Sequence, residues 1–191
     1  MKKILFAVAG ILASMTVSAQ VWVGGSLGFA SRSYDLGNSP VKVKSEANEI
    51  GINFSPTIGY TINEKMDAGI ELTFNNVSNL GGVKDSIATS FGASPFVRFN
   101  FFQSGKISFL AQASIDFYNN TSKYVVGNEN FEEKNTSLGA YVSPLIKYQV
   151  TDHIALVAKF AKLGLTKIKD KSTSIQLDVD SELNFGIYYA F

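Results

Sequence analysis

A strict alternation of apolar and polar residues runs through most of this 191-residue chain. Between residues 50 and 62, even positions hold isoleucine, phenylalanine, proline or tyrosine, and odd positions hold only glycine, asparagine, serine or threonine. Neighbouring side chains of a β-strand point to opposite faces, so this period of two gives one apolar and one small polar face. The pattern recurs along the chain and predicts eight strands. They cover residues 21–29, 50–62, 66–75, 87–101, 107–117, 136–150, 154–165 and 182–191, and the seventh loses its phase at Lys162, as a β-bulge would cause.

The first nineteen residues have the pattern of a secretory signal peptide. Lys2 and Lys3 precede an uncharged, mostly apolar run, and Val17-Ser18-Ala19 supplies the small residues that signal peptidase requires. The run of about fourteen residues is too short to cross roughly 30 Å of hydrocarbon as a helix. We therefore expect residues 1–19 to be a signal peptide and residues 20–191 to form a single barrel domain.

The distribution of charge predicts which face of the strands meets lipid. In the well-phased strands the apolar face carries no charge, and the opposite face carries all of it, with the rest of that face mostly glycine, serine, threonine and asparagine. A water-facing strand usually carries many long charged side chains, whereas small residues suit the inside of a narrow tube. We therefore expect a closed, all-β, eight-stranded antiparallel up-and-down transmembrane barrel with its apolar face outward. The charged positions of the polar face are Asp67, Glu71, Arg98, Asp116, Lys147 and Glu182.

Connection lengths also alternate along the chain. Short turns are predicted at 63–65, 103–106 and 151–153, and longer polar segments at 33–48, 77–86, 119–135 and 166–173. Short periplasmic turns and long outer loops are typical of outer-membrane barrels.

A Ser-Pro phrase recurs at Ser55-Pro56, Ser94-Pro95 and Ser143-Pro144, each followed four residues after the proline by an aromatic residue. Each aromatic residue lies on the apolar face just before a short turn. Tyr189 occupies the corresponding place in the last strand. The four predict an aromatic girdle at the periplasmic boundary of the membrane. They are Tyr60, Phe99, Tyr148 and Tyr189.

The last strand ends in Phe191, preceded at every second position by Tyr189, Ile187 and Phe185. With the alternating strands and the leader, this ending resembles the small eight-stranded OmpA/OmpX-type barrels of the porin-like superfamily. The resemblance implies a monomer in the Gram-negative outer membrane, in contact with lipid and lipopolysaccharide. It also implies that Phe185, Ile187, Tyr189 and Phe191 are the signal read by the outer-membrane assembly machinery.

Charged side chains on the inner face predict a network that fills the barrel. Eight strands leave room for little besides side chains, so an open pore is not expected, and buried charges require partners. We expect this network to plug the barrel, although the same groups could form a gated ion path. Its predicted members are Glu71, Arg98, Lys147, Lys159 and Glu182.

Composition argues against catalysis and against nucleic-acid binding. The chain has no cysteine and one histidine, and its 17 basic residues balance 16 acidic ones. The single His153 lies in a predicted turn away from any nucleophile, so we expect no enzyme activity and no cofactor. Asn128-Glu129-Asn130 with Glu132 and Glu133 could bind calcium, but the spacing is not that of an EF-hand, and a solvated acidic loop is the simpler interpretation.

These observations favour a structural or surface-interaction role in the cell envelope, with outer loops presented to a ligand or a host surface. Passive transport of a small solute or ion is the alternative. A second alternative is a soluble ligand-binding barrel of the lipocalin type, which would require the apolar face to point inward.

Overall fold

The computed structural model describes residues 20–32, 49–79, 86–126, 129–169, 173–180 and 183–191 of the chain. Every regular element in these ranges is a β-strand, as the period of two predicts. None of the described residues forms a helix long and apolar enough to cross a bilayer. The strands are β1 (Val21–Arg32), β2 (Glu49–Asn63), β3 (Met66–Ser78), β4 (Ile87–Ser104), β5 (Ile107–Val126), β6 (Glu129–Gln149), β7 (Ile154–Lys159), β8 (Lys162–Lys169), β9 (Thr173–Asp180) and β10 (Asn184–Ala190).

Antiparallel pairing joins these strands into a ring. Each of β1 to β5 pairs with the next strand along the chain. The seventh strand of the ring is interrupted, because β7 and β8 both pair with β6. The eighth is interrupted as well, because β9 pairs with β8 whereas β10 pairs with β7. Finally β10 pairs with β1, which closes the ring and confirms the eight-stranded antiparallel barrel.

The three short turns lie at one end of the ring, together with the start of β1 and the end of β10. They connect β2 to β3, β4 to β5 and β6 to β7 at the predicted positions. Gly105 in the second turn has a φ of 55°, a left-handed conformation that glycine adopts without the steric cost of a Cβ atom. By the usual asymmetry of such barrels this is the periplasmic end, and we call the opposite end the outer end.

The apolar face of the strands points outward, as the charge distribution predicts. Ile58 is 55% exposed and Phe185 is 62% exposed on the outside of the ring. The polar partners in the alternation, such as Ser55 and Thr57, are buried inside. This orientation is the inverse of a soluble lipocalin-type barrel and excludes that alternative.

The interior is less uniformly polar than the sequence analysis predicts. A cluster of buried apolar side chains fills the periplasmic half of the lumen: Trp22, Phe96, Leu110, Leu145, Val157 and Tyr188. Leu110 and Leu145 share the inward parity of Gln112 and Ser143 on their strands. Because a narrow barrel leaves no room for bulk water, large apolar side chains fill space that small polar ones would leave empty.

Two of the predicted loop segments are wrong, because the structure extends the strands through them. Residues 119–135 form the end of a long hairpin, since β5 continues to Val126 and β6 begins at Glu129. We call residues 119–126 and 129–135 the outer hairpin. Residues 166–169 likewise belong to β8, and β9 begins at Thr173, while residues 170–172 lie outside the described residues. The predicted segment 33–48 lies outside the described residues.

Candidate functional site

A layer of aromatic side chains surrounds one arginine in the periplasmic half of the lumen. Trp22, Phe96 and Tyr188 project inward from β1, β4 and β10, and their rings pack with centroids 4.7 Å apart for Trp22–Tyr188 and 6.2 Å apart for Trp22–Phe96. The Arg98 guanidinium lies 4.4 Å from the centre of the Phe96 ring and about 5 Å from the other two. We call these four residues the plug.

Arg98 is held in the plug by neutral partners. Its Nε donates to Gln112 Oε1 at 2.7 Å, and its Nη2 donates to the Tyr188 hydroxyl at 2.9 Å. No carboxylate of the described residues forms an ion pair with it. The ring faces supply negative electrostatic potential in place of an anion, which makes this buried cation tolerable.

Two of the residues predicted to form the charge network meet as an ion pair above the plug. Lys159 Nζ lies 2.7 Å from Glu71 Oε1, and both side chains are largely buried. Glu71 is an inward position of β3, and Lys159 is the last residue of β7. Each group satisfies the other in a region where an unpaired charge would be costly.

A second ion pair, between Lys162 and Asp116, was not among the predicted site residues. Lys162 turns inward because the wall has a β-bulge. Leu145 pairs with Lys159 and Val142 pairs with Leu163, so residues 160–162 face only residues 143 and 144 of β6. Lys162 Nζ also lies 4.0 Å from the centre of the Tyr141 ring and 5.3 Å from that of Tyr118. The loss of phase at Lys162 was the sequence signal for this change of side.

The other two predicted members of the network lie elsewhere. Lys147 lines a cavity on the periplasmic side of the plug, with Asp67 and Asp152 among its other walls. Glu182 lies outside the described residues. The inner charges described by the structure therefore form separate centres at different depths of the lumen.

The plug separates two cavities. The periplasmic cavity has a volume of about 80 Å³, and Arg98 and Tyr188 of the plug line it on the side that faces the outer end. The cavity on the outer side, which we call the outer cup, has a volume of about 220 Å³ and is lined by both Lys159 and Lys162. The two share no lining residue among those that the structure describes, and the buried cluster around Phe96 lies between them.

The predicted girdle residues and the predicted assembly-signal residues of the last strand all lie on the outer wall. Phe99, Tyr148 and Tyr189 are exposed there, and Tyr60 is half-buried, each close to the periplasmic turns. Phe185, Ile187 and Phe191 point outward from the last strand and its end. This is the surface that meets lipid in a membrane barrel.

The His153 ring lies between the third periplasmic turn and the last strand. Its ring stacks against Tyr189 with centroids 5.9 Å apart, and its Nδ1 lies 3.0 Å from the carbonyl oxygen of Ala190. The histidine therefore helps to join the third periplasmic turn to the last strand.

The outer hairpin carries a small charged and aromatic surface beyond the barrel wall. Glu132 pairs with Lys134 at 2.6 Å and with Lys123 at 3.5 Å. The hydrogen bond from Lys134 and the charge of Lys123 lower the pKa of Glu132. The Tyr124 hydroxyl donates to Glu133 at 2.9 Å, and this hydrogen bond raises the pKa of Tyr124.

These contacts bear on the calcium hypothesis for the hairpin. The carboxylates of Glu132 and Glu133 are engaged by side chains of the hairpin itself. Asn128 lies outside the described residues. Nowhere in the described ranges do three or more acidic or histidine side chains gather as metal ligands.

Comparisons with known proteins agree with this architecture. Residues 4–191 match the family model described as outer membrane protein beta-barrel domain. The fold is similar to that of a major outer membrane protein from Thermus thermophilus, with a TM-score of 0.58 and 10% identity, covering 92% of this chain and 100% of that one. Weaker similarity links it to Neisserial surface protein A (TM-score 0.46, 16% identity, 92% and 98% covered) and to Ail, the attachment invasion locus protein of Yersinia pestis (TM-score 0.45, 9% identity, 91% and 97% covered). No curated protein matches the sequence.

Proposed function

This chain belongs to the outer membrane protein β-barrel family, and from that premise we propose that it is a closed barrel with a structural and surface-interaction role. It spans the Gram-negative outer membrane as a monomer, contacts lipid and lipopolysaccharide, and presents its outer hairpin to ligands or host surfaces. Residues 1–19 are removed on export as a signal peptide. Catalysis has no part in this proposal.

The plug is the observation that supports a closed barrel rather than a channel. Trp22, Phe96 and Tyr188 are buried side by side, and Arg98 is bonded into the same layer. An ion crossing this layer would have to leave its hydration shell beside a fixed cation and three rings, which is costly in a low-dielectric interior. A barrel of eight strands offers no second path around the layer.

Planar-bilayer recording of the purified protein tests this part of the proposal. We expect no steady single-channel steps from the native chain. A variant carrying Phe96→Ala and Tyr188→Ala removes two plug rings and serves as the positive control, in which conducting steps should appear. Steady single-channel steps from the native protein, with a conductance equal to that of the double-alanine variant, would favour the transport alternative.

The outer hairpin supports the surface-interaction part of the proposal. The neighbouring strands end before its tip, since β4 pairs with β5 up to Lys123 and β8 pairs with β6 up to Thr136. At the tip, Tyr124 and Phe131 stack with centroids 5.7 Å apart, and Phe131 remains exposed. A stacked aromatic pair with one exposed ring, flanked by charges, is typical of a protein-contact surface.

Cell adhesion measures this role directly. Bacteria that display the full chain are compared with bacteria that display a Tyr124→Ser, Phe131→Ser variant on an epithelial monolayer. We expect fewer adherent cells with the variant at equal surface abundance. The matched control replaces the exposed lipid-facing pair Phe117 and Leu138 with alanine, which leaves the tip intact. Equal adhesion of native and tip-variant cells would contradict a contact role for the tip.

We also propose that the terminal strand is the signal for the assembly machinery. Phe191 is 68% exposed and Phe29 of β1 is 67% exposed, so the two provide a matched pair of outward phenylalanines. We expect Phe191→Ser to slow insertion in cells more than Phe29→Ser, with equal refolding of both variants into pure lipid vesicles. Equal insertion rates in cells would show that Phe191 contributes only to the lipid contact.

A further inference from the structure

The outer cup is a cavity whose walls are unusually rich in hydrogen-bonding groups. Amide side chains of Asn53, Asn75 and Asn184 and the hydroxyl groups of Thr73 and Ser90 line its 220 Å³. Amides and hydroxyls each offer both donors and acceptors. The cup is smaller than the pockets of about 300–1,000 Å³ that hold drug-sized ligands, so its size selects a small molecule.

The cup's charged side chains are already neutralised by the protein. Lys159 is paired with Glu71, and Lys162 is paired with the buried Asp116. An anionic ligand would have to displace a buried carboxylate from its lysine, which would leave that carboxylate unpaired. A neutral ligand meets no such cost, so the electrostatics of the cup favour a neutral, polar molecule.

Several polar groups of the cup lack partners within the described part of the chain. The Oδ1 atom of Asn184 is buried and accepts no hydrogen bond. The side chains of Asn75 and Ser90 form no hydrogen bonds with other described residues, although both are half-buried. Buried polar groups are normally satisfied, so these free donors and acceptors point to a ligand or to ordered water.

We propose that the outer cup binds a single neutral sugar ring. The hydroxyl groups of the sugar would satisfy the Asn75 amide and the Ser90 hydroxyl, which line the cup. The plug below the cup stops the ligand from crossing. This inference goes beyond the proposed structural and surface role, since it concerns the lumen and not the outer hairpin.

Calorimetric titration of the folded full-length protein with D-glucose tests the proposal. The detergent must lack a sugar headgroup, because a maltoside would compete for the cup. The adjacent Asn75 and Asn76 form a matched pair on β3, with Asn75 lining the cup and Asn76 exposed on the outer wall. We expect saturable binding that weakens about tenfold or more in Asn75→Leu and is unchanged in Asn76→Leu.

Two further titrations separate the possible ligands. Inorganic phosphate should not bind, and binding of phosphate without glucose would overturn the proposal. If maltotriose binds as tightly as glucose, the sugar ring in the cup belongs to the end of a glycan. If glucose binds and maltotriose does not, the ligand is a free monosaccharide. Circular dichroism must first show that both leucine variants are folded. Absence of glucose binding, or equal binding by both variants, would show that the cup holds only water, without affecting the conductance and adhesion tests above.

Discussion

Removing either partner of the Lys162–Asp116 ion pair should destabilise the barrel by unequal amounts. The Asp116 side chain is 2% exposed, and that of Lys162 is 26% exposed. Lys162→Met leaves a fully buried carboxylate, whose Oδ1 already has no partner among the described residues. Breaking a buried pair in this way costs about 3–5 kcal/mol.

Asp116→Asn should cost less. Its lysine partner can regain water from the outer cup and keeps its contacts with the rings of Tyr118 and Tyr141. Removing the partner of a partly solvated charge lowers the free energy of unfolding by about 1–3 kcal/mol. The double variant, Asp116→Asn with Lys162→Met, leaves no unpaired charge at this site and should be more stable than Lys162→Met alone.

Equilibrium urea unfolding in phospholipid vesicles can measure these differences. Trp22 is the only tryptophan of the chain and is buried in the plug, so its fluorescence reports loss of the barrel interior. The free energy of unfolding is obtained by linear extrapolation for the native chain and the three variants. Equal losses for the two single variants, or additive losses in the double variant, would refute the assigned burial and pairing of these side chains.

Two other predictions concern the barrel wall and the outer hairpin. An added Cβ at Gly59 would overlap the Trp22 ring, so Gly59→Ala should lower the free energy of unfolding by about 1–3 kcal/mol. Gly25→Ala, whose added Cβ would meet nothing closer than 3.6 Å, should be neutral or stabilising. Equal urea midpoints for the Gly59→Ala and Gly25→Ala variants would contradict this packing. Because the hydrogen bond to Glu133 raises the pKa of Tyr124, Glu133→Gln should let the Tyr124 phenol ionise at lower pH. An NMR pH titration of the tyrosine ring measures this, and an unchanged pKa would show that the bond is not formed in solution.

The outward surface could be predicted from the sequence because one physical constraint dominates it. Each lipid-facing position excludes charge, so the alternation around Ile58 and Phe185 indicates both the strand and its orientation. The closed ring follows, because unpaired strand edges are not tolerated in lipid. By contrast, both faces of the outer hairpin are exposed to solvent, so its strands lack the alternation of apolar and polar residues. The sequence of residues 119–135 therefore predicts a loop.

The interior was harder to predict, because its side chains are selected by their partners across the lumen. Arg98 has the expected inward parity, and Gln112 lies opposite it on the next strand of the chain, but its contact with Tyr188 depends on a strand that is distant in the chain. Likewise the alternation places Asp116 inside without indicating a partner for it. Lys162 becomes that partner only through the bulge, whose effect on the register the sequence does not specify.

The single extra residue in the seventh strand changes which side chains of that strand face the lumen. Up to Lys159 the odd-numbered side chains enter the lumen, and from Lys162 the even-numbered ones do, with Thr166 buried and Leu165 exposed. Two ammonium groups three positions apart can thereby occupy the same side of a strand, which regular alternation forbids. Deletion of one residue at 160 or 161 would remove the bulge, and regular alternation would then keep Lys162 in the lumen and Leu163 and Leu165 towards the acyl chains, so the bulge accommodates one extra residue without reversing the faces of those that follow.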